Sequence, residues 1–195
     1  METIKLNFTK LQNRIFRLMC INAGKKLNLS DIAKKLKVSV TAISKATPII
    51  EKSGLIKVEK DKKMNLTIVF LNRDNYKTMQ FKRIENLKQI YEVGLVDFLE
   101  DKLAGGAILL FGSYSRGDDT YDSDIDLAVI GRKEEQINLE NFKKNLERKI
   151  NINFYNSFKE IHKYLKNNIL NGIILSGSVE LWTCQKDLRN ILKTE

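Results

Sequence analysis

"FGSYSRGDDTYDSDIDLAVI", residues Phe111–Ile130, places a Gly-Ser corner, one arginine and five aspartates between two short apolar runs. The run that leads into it, "GAILLF", is apolar throughout and ends at Gly112, which predicts a buried strand turning sharply into a short helix at "SYSRG". Glycine lets the backbone turn and come close to a ligand, and unpaired amides at a helix start attract phosphate. Ser113 adds a hydroxyl donor to that corner. In "DSDIDLAVI", Asp124 and Asp126 alternate with Ile125 and Leu127 at the head of a second apolar strand. Period two puts both carboxylates on one face, about 7 Å apart at the backbone, from which their side chains can converge on a cation. Oxygen ligands without histidine or cysteine favour Mg2+ or Mn2+, which keep several waters and take nucleotide phosphates as further ligands.

Gly-Ser or Asp-x-Asp alone occurs by chance in many loops. The ordered set is far more specific: apolar strand, Gly-Ser, Arg-Gly, acidic spacer, then Ser-Asp-x-Asp opening another apolar strand. It resembles the signature of the DNA polymerase beta-type nucleotidyltransferase superfamily, most closely its minimal nucleotidyltransferases, over roughly the last half of the chain. The closing "NNILNGIILSGSVELW" is similar to the tail of those small proteins. The resemblance implies a central, mostly antiparallel mixed sheet with flanking helices, and a site where three acidic residues bind two metals. Carried over by position, Gly112 and Ser113 would hold the phosphates of a nucleoside triphosphate, ATP first among the candidates, and Asp124 and Asp126 would be catalytic metal ligands. Arg116 would bind phosphate, or anchor the loop by pairing with Asp118, Asp119 or Asp122. Those three aspartates are otherwise expected to be a solvated loop.

The third acidic position falls in "ERKININFYN", where the matching residue is Asn151. Asn153, on the same strand face, is equally uncharged. An amide oxygen ligates a cation weakly, adds no negative charge and cannot accept a proton from an attacking hydroxyl. Other phosphate-binding fingerprints, of the Walker or dinucleotide type, are absent from the sequence.

Composition narrows the alternatives. The 195 residues, 43% hydrophobic and 30% charged, suit an ordinary globular chain of one large or two small domains. No apolar run reaches membrane-spanning length. The start, "METIKLNFTKLQNRIF", lacks the apolar core and cleavage site of a signal peptide, so the cytoplasm is the expected location and no membrane partner is expected. Cys20 and Cys184 have no ligand spacing and read as small buried hydrophobes. The one histidine, His162, reads as a polar-face residue of a short helix. Histidine-ligated zinc and serine-histidine hydrolysis therefore find no motif, and no G-x-S-x-G elbow surrounds Ser113 or Ser115.

Charge is uneven. Residues 1–72 carry 15 Lys+Arg against 5 Asp+Glu, and the remaining 123 residues carry 19 of each, so all of the net +10 sits in the first segment. Such asymmetry suggests that this segment meets a polyanion. Leu11, Ile15, Leu18 and Ile21 recur at helical spacing after a cap at Thr9; Ser30 offers a cap to a second helix; Ser39 caps a third, "VTAISKATPIIEKSG", which Gly54 ends. "LIKVEKDKKMNLTIVFL" reads as two strands around a charged turn at Asp61 to Lys63. This order resembles a winged helix-turn-helix domain. Such a domain implies DNA binding, with Thr41, Ser44 and Lys45 facing the major groove and Lys60, Lys62 and Lys63 on wing phosphates. Many winged helices are instead docking modules, which leaves a homodimer as the competing partner. Pro48 is expected to kink or divide the third helix.

Tyr76, Met79, Ile84, Leu87, Ile90 or Tyr91, Leu95 and Phe98 keep a helical period through residues 73–103, with Gly94 as an interior weak point. The expected architecture is therefore α+β: a winged helix-turn-helix domain over 1–72, a connecting amphipathic helix over 73–103, and a minimal nucleotidyltransferase-like domain with a helix-flanked mixed sheet over 104–195. Two functions follow. One is metal-dependent transfer of a nucleoside monophosphate to a hydroxyl, for which the resemblance implies a small helical protein of the HEPN type as one candidate acceptor. The other is a DNA-binding regulator that keeps the nucleotide and has lost transfer.

Overall fold

The computed structural model describes residues 7–61 and 65–179. Its first helix, α1 (Lys10–Ile21), opens with a reciprocal cap in which Thr9 Oγ1 accepts from the Gln12 amide and Gln12 Oε1 accepts from the Thr9 amide. Of the expected stripe Ile15 is buried and Leu11 and Leu18 only flank the core; the buried face is completed by Phe16, Met19 and Cys20. A two-residue strand, β1 (Leu27–Asn28), leads directly into α2 (Leu29–Leu36). The expected cap at Ser30 is corrected here: β1 pairs with a later strand up to Asn28, so the helix starts earlier and Asn28 Oδ1 accepts from the Asp31 amide at 2.8 Å. Lys37 turns through a left-handed conformation, and Ser39 caps α3 (Val40–Lys52), accepting from the Ala42 amide at 3.2 Å.

Pro48 does not divide α3, which runs through it. The carbonyl that a proline leaves unpaired, that of Ser44, lies on the solvent side with Pro48 itself, so water can satisfy it. Gly54, with φ of +76°, then turns the chain into the hairpin β2 (Ile56–Asp61) and β3 (Leu66–Leu71). The three-stranded sheet has the order β1-β3-β2 and is antiparallel. Lys62 and Lys63 lie outside the described residues.

The expected single connecting helix is two: α4 (Tyr76–Glu92) and α5 (Leu95–Lys102), separated at Gly94, whose φ of +72° ends the first. The face that α4 buries is also corrected. Ile90 is buried and Met79 and Leu87 pack on the cores as expected, but Tyr76, Ile84 and Tyr91 are 75%, 59% and 47% exposed, and the rest of the inward face is polar: Thr78, Lys82, Asn86 and Gln89. A polar stripe can be buried only if its groups find partners: Thr78 donates to the Gly54 carbonyl, Gln89 to the Glu85 carbonyl of its own helix, and Lys82 and Asn86 find theirs in the next domain.

That domain is built on β4 (Ala107–Phe111), α6 (Gly112–Arg116), β5 (Ile125–Ile130), α7 (Glu140–Leu146), β6 (Ile150–Tyr155), a 3-10 turn at Phe158–Glu160, α8 (Lys163–Leu170) and β7 (Ile173–Ser176). The sheet order is β6-β5-β4-β7, parallel only between β5 and β6, which is the mixed sheet the resemblance implied. Alternation along β4 explains its uniformly apolar run. Ile108 and Leu110 pack with Leu95, Leu99 and Leu146 on one face, while Ala107, Leu109 and Phe111 pack with Phe158 and Ile169 on the other. His162 sits at the start of α8 and is exposed. The tail motif is described as far as Val179; its last residues, and Cys184, lie outside the described residues.

The two halves meet at a buried ion pair between Lys82 of α4 and Asp119 of the loop after α6, both without solvent exposure. Asn86 Nδ2 donates to Asp119 Oδ1 at 2.7 Å and to the Tyr114 carbonyl of α6 at 2.9 Å. Asp119 is therefore not part of a solvated loop: burial lowers the pKa of Lys82 and the adjoining Asp119 carboxylate opposes that shift. Gly117 completes the seam, because a Cβ there would stand 2.5 Å from the Met79 carbonyl and 2.8 Å from the Arg83 amide. Lys82→Met strands a buried carboxylate and is expected to cost about 3–5 kcal/mol, whereas Lys82→Met with Asp119→Leu recovers most of it. Urea denaturation of both variants checks this.

Candidate functional site

The site grows from the ends of β4 and β5. Phe111 pairs with Asp126 across the antiparallel ladder, and Asp126 pairs with Asn151 across the parallel one, so the Gly-Ser corner, the second aspartate and the asparagine lie in one row. Gly112 has φ of +76°, and a Cβ there would stand 2.7 Å from Asp126 Oδ2. Glycine is required for both reasons: the left-handed backbone and the room it leaves for the carboxylate. The corner is braced by Ser115 Oγ, which donates to the Gly112 carbonyl at 2.8 Å, and by the Ser113 carbonyl, which accepts from Gly117 and Asp118 amides at 3.0 and 3.2 Å.

Asp124 and Asp126 converge as period two requires. Asn151 Nδ2 donates to Asp124 Oδ2 at 3.2 Å and to Asp126 Oδ1 at 3.1 Å, so one amide nitrogen bridges the two carboxylates. Both aspartates are half-buried, and Asn151 is exposed at the rim. Asn153 is exposed further along β6, opposite Ala128. Among the described residues no group of three or more His, Cys, Asp or Glu side chains is placed to hold a metal. The donor set, two carboxylates with oxygens aimed at one point, fits a single hard cation and offers no acidic ligand to a second.

Arg116 takes its anchoring alternative: Nε donates to Asp118 Oδ2 at 3.1 Å and Nη1 to Asn168 Oδ1 at 3.2 Å. Asp122 stays exposed, held low in pKa by the Thr120 hydroxyl. On the β6 side of Asp124 a cavity of about 420 Å3 opens between Tyr121, Ser123, Lys143 and Lys149. A larger one, about 700 Å3 around Phe98 and Phe142, lies against α5 and α7, away from both carboxylates.

In the winged helix, Thr41, Ser44 and Lys45 are exposed together on the outer side of α3, and Lys60 is exposed on β2. Sequence reasoning missed Lys82, Asn86 and Arg148, which hold the loop between Gly117 and Asp124, and Asn168, which fixes Arg116. The signal for the first two was the polar series Thr78, Lys82, Asn86 and Gln89 at helical spacing. Arg148 and Asn168 carry no signal of their own.

Comparison with known proteins matches two separate parts of the chain. A family model described as a nucleotidyltransferase domain matches residues 92–176, and the MarR family model matches residues 12–63. The chain thus joins a winged helix of the MarR type to a nucleotidyltransferase-type domain, in an α+β fold. Among solved structures, a point mutant of ZitR from Lactococcus lactis is 19% identical, with 52% of this chain and 66% of that chain covered and a TM-score of 0.40. The adhesin competence repressor AdcR from Streptococcus pyogenes is 20% identical, over 50% of this chain and 69% of that one, with a TM-score of 0.39. A complex of S. aureus MepR with DNA is 20% identical, over 49% of this chain and 82% of that one, with a TM-score of 0.34. The chain therefore spans about two thirds of the length of the first two. No curated protein matches it. Among the described residues no helix is long and apolar enough to cross a membrane.

Replacing the bridging amide by an acid crowds three like charges. Asn151→Asp is expected to lower stability in EDTA by about 1–2 kcal/mol and to regain it, with a larger Mg2+-dependent rise in Tm than the wild type shows, by mass action. Thermal melts with and without Mg2+ test this.

Proposed function

We propose that this chain is a DNA-binding protein whose C-terminal half binds a nucleoside triphosphate with one divalent cation and transfers its nucleoside monophosphate only slowly. The observation that carries this reading is the convergence of Asp124 and Asp126 on a single point, 3.1–3.2 Å from the Asn151 amide and beside the Gly112 corner. Asp124 and Asp126 hold the cation, which supplies positive charge to the triphosphate when bound. The backbone amides at Gly112 and Ser113, with the Ser113 hydroxyl, orient the phosphates. Asn151 can turn its carbonyl oxygen toward a cation but has no proton-accepting group for an incoming hydroxyl. That deficit, at the position the family fills with an acid, supports nucleotide binding over efficient transfer.

The winged helix supplies the DNA contact in this reading, supported by the concentration of net charge in residues 1–72 and by the exposed Thr41, Ser44, Lys45 and Lys60. Contacts of lysine with phosphate give affinity that falls steeply with salt.

Calorimetric titration with ATP and Mg2+ is expected to show binding that weakens by a factor of about ten or more in Asp126→Asn, since half of the charge facing the cation is removed. Asn151→Asp is expected to raise pyrophosphate release from ATP in the presence of a hydroxyl acceptor by about tenfold or more. Wild-type protein that binds no nucleotide, or binding indifferent to Asp126, contradicts the reading. For the winged helix, joint replacement of Lys60, Lys62 and Lys63 by alanine is expected to flatten the salt dependence of duplex binding by roughly one to three in the log–log slope.

A further inference from the structure

Two buried atoms at the junction have no hydrogen-bond partner: Asp119 Oδ2 and Arg148 Nε. They belong to neighbouring groups, because Arg148 Nη2 stands 3.8 Å from Asp119 Oδ2, an ion-pair distance too long for a hydrogen bond. The guanidinium is held elsewhere. Nη2 donates to the Ile21 carbonyl at the end of α1 at 2.6 Å, and Nη1 donates to the Tyr121 and Glu147 carbonyls at 2.8 and 3.1 Å. An unmet carboxylate oxygen beside an unmet guanidinium nitrogen is costly in a buried site, and a guanidinium facing a carboxylate squarely makes one of the stronger pairings available.

A short movement of the guanidinium toward Asp119 would give Oδ2 a donor in Nη2 and withdraw Nη2 from Ile21. The carbonyl it leaves belongs to the winged helix, and the carboxylate it joins belongs to the loop that carries Asp124. Arg148 is also tied to the site itself. It stands three residues before Asn151, and the Ile125 amide, next to Asp124, donates to the Lys149 carbonyl at 2.8 Å. The loop that carries Asp124 meets the turn after α1 directly, where the Tyr121 amide donates to the Ala23 carbonyl at 3.0 Å.

We propose that Arg148 is an exchangeable latch between the domains, holding the Ile21 carbonyl when Asn151 bridges the two aspartates and the Asp119 carboxylate when a cation with its nucleotide takes the place of that bridge. This rests on the reading of Asp124 and Asp126 as a cation–nucleotide site. A ligand that displaces the Asn151 amide removes the side-chain tie three residues from Arg148, while the backbone pairing of β5 with β6 holds, so the exchange is a movement of the Arg148 side chain. The end of α1 loses a buried contact as the site fills. By linkage, whatever the winged helix binds in its latched form weakens nucleotide binding by the same factor.

The test is hydrogen exchange on the full chain, with ATP and Mg2+ added and binding followed in parallel by calorimetry. In the wild type the amides of residues 21–25 are expected to exchange about fivefold faster or more when ATP and Mg2+ are bound, because local opening there loses one restraint. Arg148→Gln is expected to bind ATP and Mg2+ while residues 21–25 no longer respond. Should that variant fold poorly, Arg148→Lys keeps a cation beside Asp119 and is expected to reduce the response by more than half. Binding heat with unchanged exchange at residues 21–25 in the wild type overturns the latch and leaves the site reading intact. Absence of binding heat removes the site reading and the latch with it.

Discussion

The buried pair of Lys82 and Asp119 is the contact on which the rest of the arrangement depends. Neither group reaches solvent, so neither can tolerate the loss of the other. Asn86 joins them and, through the Tyr114 carbonyl, ties α6 to the same point. Three side chains thereby fix the Gly-Ser corner, the acidic loop and the long helix that leaves the winged helix. The loop is too polar to fold on apolar burial alone. Its order comes from partners contributed by α4, by the turn after α1 and by the turn before α4, where the Arg73 guanidinium donates to the Asp118 carbonyl at 3.2 Å.

That support gives the site a defined shape before any ligand arrives. Gly112 makes room for Asp126, β5 delivers Asp124 on the same face, and β6 places Asn151 beside both. Two carboxylates so close repel each other in the absence of a cation, and a neutral amide that donates to both relieves the repulsion. A third acid at the same position would sharpen the demand for metal and complete a two-cation centre. An asparagine there adds no charge and instead donates to both carboxylates.

Much of this was legible in the residues. The strand–Gly-Ser–helix unit, the alternation of Asp124 and Asp126, the cap at Ser39 and the hairpin after Gly54 are local patterns, and local patterns survive tertiary context. The misses share one cause. Ser30 fits the local pattern of a cap, but the strand pairing through Asn28 that moves the helix start is a contact between distant residues, which local sequence does not carry. In α4 the apolar series Tyr76, Ile84 and Tyr91 suggested the buried face, but the partners that make Lys82 and Asn86 internal lie more than 25 residues away in sequence. Asp119 looked solvated for the same reason. Pro48 was read by its local rule, and the rule yielded because the freed carbonyl faces water.

Anomalous scattering from crystals of the full chain grown with Mn2+ and a non-hydrolysable ATP analogue tests the central claim most directly. A single Mn2+ between Asp124 and Asp126, with Asn151 turned away from its bridging position and the phosphates against Gly112 and Ser113, is the result this account requires. Metal bound elsewhere, two metals sharing the pair, or an undisturbed Asn151 bridge at saturating nucleotide would contradict it.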